Sequence, residues 1–103
     1  MSDDYFSRFE SISELVRLRN QLAKQALNGL RYEVSDIINT KSLDRNRIEH
    51  LLDNLFDFCF DPEVLEEFKR LLRYYLPINP ESVHSHINHY RDWYDSDDQE
   101  IED

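Results

Sequence analysis

The chain has 103 residues, one cysteine, one glycine, three prolines and a net charge of −10. A chain of this length suits a single domain and buries about 60–65% of its unfolded surface, enough for one modest core. The lone Cys59 excludes an internal disulfide and fits a reducing, cytoplasmic setting, and no apolar run approaches the ~20 residues that span a membrane. Scarce glycine and few β-branched residues point to an all-α protein.

The opening residues Asp3–Phe9 read as a short helical arm with Tyr5, Phe6 and Phe9 on one face. Ser11-Ile12-Ser13-Glu14 has the form of a capping box and marks the start of the first long helix. Ile12, Val16, Ala23, Ala26, Leu27, Leu30, Val34 and Ile37 hold one apolar stripe through Gly29. A two-residue turn would reset that phase, so one helix from Ile12 to Asn39, about 42 Å long, is expected. A break at Gly29 would give five helices instead of four.

Thr40-Lys41-Ser42 forms a short loop, and Ser42 or Asp44 caps the next helix. Its stretch Ile48–Phe60 (IEHLLDNLFDFCF) is the most apolar in the chain and predicts the central member of a bundle. Cys59 falls within its apolar stripe and reads as a buried apolar residue. Asp61-Pro62-Glu63 and Asn79-Pro80-Glu81 are two matching helix starts: a capping side chain, Pro in the first turn, then an acid facing the dipole. Val64, Phe68, Leu71 and Tyr75 make the inner face of the first of these helices, which Pro77 ends. Val83, Ile87, Tyr90 and Tyr94 make that of the second. The expected architecture is a bundle of four helices over residues 1–94, followed by a disordered acidic tail, 95–103.

That tail (DSDDQEIED) holds six acids and no base, so residues 1–94 carry only −4 of the −10. A mildly acidic body lacks the basic excess that a phosphate-binding surface needs, so direct nucleic-acid binding is not expected. A basic protein partner is.

Arg45-Asn46-Arg47-Ile48-Glu49-His50 resembles the R-N-x3-H signature of the HEPN ribonucleases, which are small helical bundles. The resemblance implies Arg45 and His50 as a catalytic pair, His for proton transfer and Arg for phosphorane charge, with Asn46 beside the arginine. Residues five apart on a helix point about 140° apart, so convergence on one phosphate would take a dimer. The competing reading has Arg45 and Arg47 solubilising the first turn and His50 on the outer face near Asp53.

Of the histidines His84, His86 and His89, only the last two share a helix face, and no Cys or carboxylate completes a ligand set, so no metal is expected. His86, His89 and Trp93 instead form a strip at the edge of the apolar face, suited to partner contact. Asp95, Asp97, Asp98 and Glu100 extend that partner-binding set into the tail. Lys69, Arg70 and Arg73 read as a solvated face, partly neutralised by Glu66. Arg19 interrupts the first helix's stripe. Its stem is expected to pack while its head escapes, the other option being a pair with Asp57, Asp53 or Glu49.

With no Gly-rich phosphate loop, nucleophile elbow or facing carboxylate pair, the chain reads as non-enzymatic and cofactor-free. The expectation is a protein-binding protein of the acidic inhibitor, immunity or antitoxin type, acting on a basic, nucleic-acid-handling protein. One alternative is a structural or adaptor bundle that overhangs and self-associates as a homodimer through its long first helix. The other is a HEPN-like ribonuclease using Arg45 and His50.

Overall fold

A computed structural model describes residues 2–94, with side chains from Ile12 onward. Four helices follow in order: α1 (Ser2–Asn39), α2 (Arg45–Asp57), α3 (Pro62–Tyr75) and α4 (Pro80–Tyr94). Among the described residues there is no strand, so the all-α bundle expected from composition is the fold.

The starts of α2, α3 and α4 follow the sequence signals. Asp44 caps α2, its carboxylate accepting from the Arg47 amide at 3.2 Å. Asp61 caps α3, accepting from Glu63 N at 2.8 Å and Val64 N at 3.2 Å, with Pro62 in the first turn. Asn79 accepts from Ser82 N at 3.3 Å and opens α4. Side-chain acceptors satisfy amides that the first helical turn leaves without partners.

α1 differs from the expected helix at its start and matches it through Gly29. It runs unbroken across Ser11, so the capping-box pattern there is not a helix start, and the 38 residues span about 57 Å. Its other end is a Schellman turn: Lys41 N donates to Ile38 O and Ser42 N to Ile37 O. Lys41 there takes φ 55°, a conformation glycine usually supplies.

The core joins Leu27, Val34 and Ile37 of α1 with Ile48, Leu51, Leu52 and Leu55 of α2. Val64, Phe68, Leu71, Leu72 and Tyr75 of α3 and Val83 of α4 complete it. α3 occupies the centre and touches all three other helices. The expected central role of Ile48–Phe60 is thus shared, because its last residues are not helical. Phe58 ends α2, and a tight turn carries the chain to the Asp61 cap. Cys59 in that turn is buried, as expected, and burial, with Asp57 nearby, pushes its thiol up to about 12.

Charge is paired across the α1–α3 seam. Lys24 bridges Asp61 at 2.9 Å and Glu63 at 3.0 Å. The buried Glu67 accepts from Arg31 Nε at 3.1 Å and Arg70 Nε at 3.0 Å, while Arg70 also donates to Ser35 Oγ. Arg70 therefore ties α3 to α1 instead of lying on a solvated face. Glu67 needs both cations, since an unpaired buried carboxylate would carry a desolvation penalty of several kcal/mol.

Candidate functional site

α4 packs lightly: Val83 is its one buried residue, and Ile87 is 36% exposed. The strip His86, His89 and Trp93 spreads over three environments along this helix. His86 turns inward, its Nε2 2.8 Å from Glu49 Oε1 on α2. The other Glu49 oxygen accepts from Tyr75 Oη at 2.8 Å and from Ser82 Oγ. Asn79 Nδ2 donates in turn to Tyr75 Oη at 3.3 Å. His89 lays its ring on Phe56, with centroids 4.3 Å apart and planes 21° from parallel. Trp93 is 69% exposed. Asp95, Asp97, Asp98 and Glu100 lie outside the described residues.

Burial pushes the Glu49 carboxyl up, but hydrogen bonds from Ser82, His86 and Tyr75 outweigh it and hold the carboxyl below its ordinary range. One carboxylate thereby pins α2, α3 and α4 together. The hydroxyl and the imidazole both address Glu49 and not each other, so the cluster has no serine–histidine relay. No group of three His, Cys, Asp or Glu among the described residues is arranged to hold a metal ion.

The two basic residues of the R-N-x3-H motif face different neighbours. Arg45 donates to the Ile78 carbonyl at 3.4 Å, in the α3–α4 connection. His50 is exposed and lines a groove between α2 and α1, together with Ala26 and Gly29. Within one chain they do not converge. Arg47, between them, binds Glu33 at 3.0 Å and Asp36 at 2.9 Å.

No family model, curated protein or solved structure matches this chain.

The far end of the bundle holds the remaining features. The core stripe of α1 is covered from Ala23 onward, whereas Ile12 and Val16 on the same stripe are 60% and 47% exposed. The bundle ends at Arg19, whose guanidinium sits 4.1 Å from the centre of the Phe60 ring. Arg19 is exposed, and its head is met by the Phe60 ring and not by Asp57, Asp53 or Glu49. From Ile12 to Leu22 every side chain of α1 is exposed, so this stretch stands clear as an overhang. Tyr94, at the end of α4, donates to the Phe56 carbonyl at 2.8 Å. Burial raises the Tyr94 phenol above its ordinary range, and the charge of Arg19 acts against that rise. Arg19 rests on Phe60 and Tyr94 on the Phe56 carbonyl, four residues apart at the α2–α3 junction, so the overhang base and the Trp93 end of α4 share one end of the molecule. Sequence reading by a single stripe missed a second line on the overhang, Leu15, Leu18 and Leu22, all exposed. Their i, i+3, i+7 spacing was the available signal.

Proposed function

We propose that this chain is a non-enzymatic protein-binding protein of the acidic inhibitor, immunity or antitoxin type, and that its partner is a basic protein that handles nucleic acid. The observation that carries the reading is the exposed Trp93 at the end of α4, two residues before the acidic sequence 95–103. A bulky aromatic anchor beside a concentrated charge of one sign is a workable recognition surface: the aromatic holds, the charge steers. The body contributes little long-range field, because the cations Lys24, Arg31, Arg47, Lys69 and Arg70 are each matched to an acid. The distinctive charge is that of the segment. In addition, no helix among the described residues is long and apolar enough to cross a membrane.

The test is co-purification from the native cell, identification of the captured protein by mass spectrometry, and binding kinetics of the purified pair. The reading expects a basic nucleic-acid-binding protein, held in a salt-sensitive complex. Truncation after Tyr94 should slow association, and Trp93→Ala should speed dissociation. A complex indifferent to salt, truncation and Trp93→Ala would overturn it. So would metal-independent RNA cleavage by the wild type that is abolished in His50→Ala.

A further inference from the structure

On α1, Leu15, Leu18, Leu22, Ala26 and Gly29 lie along one line, about a third of a turn from the Ala23–Leu27–Val34 line that the bundle covers. Leu15, Leu18 and Leu22 are 64%, 50% and 47% exposed. Their spacing is that of a helix-pairing seam. Gly29 extends the same line two turns on, and nothing in the single chain explains it. Its φ is not positive, and a Cβ added there would meet nothing within 4 Å. Glycine inside a helix costs about 1 kcal/mol relative to alanine. A residue that the chain's own packing does not require is accounted for when another helix approaches it closely. Beside Gly29 the surface is hollowed into the groove between α1 and α2, walled by Tyr32, His50, Leu51 and Asn54.

The line is graded. Its bulky residues lie toward the free end and its small ones at the bundle, with Leu22 seven residues from both Leu15 and Gly29. We propose that two copies of the chain pair antiparallel along this line, about a twofold axis at Leu22. Leu22 then meets its own mate. Leu15 and Leu18 of each copy enter the hollows at Gly29 and Ala26 of the other. A parallel pair would set Leu15 against Leu15 and leave two glycines facing across a void, so the gradient selects the antiparallel sense. A second copy also meets no strong like-charge barrier. The acids nearest the line are Glu14 and Glu33, of which Glu33 is paired with Arg47 at 3.0 Å; Gln21, Gln25 and Asn28 on the same flank as Glu14 are uncharged, and Arg19 on the other is drawn over Phe60. Overlap from Leu15 to Gly29 in both directions buries on the order of 1,000 Å² in total, the lower edge of specific interfaces. The pair is accordingly a concentration-dependent dimer. It does not rest on the function proposed above.

Sedimentation equilibrium of the full chain over a wide concentration range tests it. The average mass should rise from the 12.5 kDa chain toward twice that value. Leu18→Glu with Leu22→Glu should stay at the single-chain mass with unchanged helicity, since both sites are exposed in the lone chain. Gly29→Ala separates pairing from folding. It should raise the melting temperature of the single chain and weaken the dimer about tenfold by crowding the seam. The sense is read by oxidative crosslinking in a Cys59→Ser background. L15C mixed with G29C should give a crosslinked pair, and L15C alone should not. A single-chain mass at every concentration, full dimerisation by Gly29→Ala, or crosslinking of L15C with itself would overturn the proposal.

Discussion

Glu49→Ala removes the shared acceptor of three donors: Tyr75 Oη, Ser82 Oγ and His86 Nε2. A hydrogen bond to a charged group contributes about 1.5–3 kcal/mol, and a donor left buried without a partner costs about 1–3 kcal/mol. The three do not count equally. Tyr75 is wholly buried, and the His86 side chain is 13% exposed, so neither readily finds water. The Glu49 side chain is 37% exposed, so solvent weakens every bond it accepts. Taking the lower end for each contact, with that screening, gives about 3 kcal/mol, or roughly 10–20 °C in melting temperature for a domain of this size. Glu49→Gln keeps an acceptor oxygen but presents an amide to one donor, and should fall between wild type and Ala. The sign of the pH dependence follows from the depressed carboxyl. Its stabilisation is complete above the ordinary carboxylate range, about pH 4–5, and is lost as pH falls through the lowered value. Urea melts followed by circular dichroism at pH 7 and at low pH should therefore show the wild type and Glu49→Ala converging in acid. A loss below about 1 kcal/mol at pH 7, smaller than one net hydrogen bond to a charge, would show that the cluster does not hold the bundle together.

Leu55→Ala should cost about 2–5 kcal/mol, because Leu55 on α2 is fully buried in the core; chemical denaturation measures it, and a change under 1 kcal/mol would contradict the core described. Cys59, raised to about 12 and buried, should resist a thiol-specific reagent at pH 8 until urea unfolds the chain; rapid native labelling would refute this. Trp93→Ala should leave the melting temperature within a degree or two, and wild-type fluorescence should be quenched freely by acrylamide, as 69% exposure requires; strong protection in dilute solution would mean that the Trp is covered.

What the sequence made legible is what depends on near neighbours. Asp61-Pro62 and Asn79-Pro80 start helices because a capping side chain reaches amides two or three residues on. Leu55 declares its burial through helical phase, whereas Cys59, expected on the same stripe, is buried in the turn after α2. What it hid depends on distant partners or on depth. Arg19 looked misplaced within a stripe, since its neighbour Phe60 lies 41 residues away. Glu49 and His86, 37 apart, carried no sign of one another. The strip His86–His89–Trp93 looked uniform because a helical wheel gives direction but not depth. Depth changes along α4 as it passes from the Glu49 cluster, over Phe56, to open solvent. Ser11 gave a misleading local signal: a capping pattern inside a helix that does not end there.

The light attachment of α4 has a kinetic consequence. One buried aliphatic residue, Val83, a set of ring contacts through Phe56 and Phe68, the Tyr94 bond to the Phe56 carbonyl and the Glu49 cluster hold it to the body. α3, by contrast, buries six residues. Such asymmetry makes α4 a separate, lower-stability opening unit, able to swing out while α1, α2 and α3 stay folded. Native-state hydrogen exchange should then resolve two classes of amide, those of α4 opening at a fraction of the global free energy and those around Leu71 and Leu52 only on full unfolding. Each such opening would carry Trp93 away with α4 and bare the Phe56 and Phe68 faces on the body, giving the chain a transient second apolar surface.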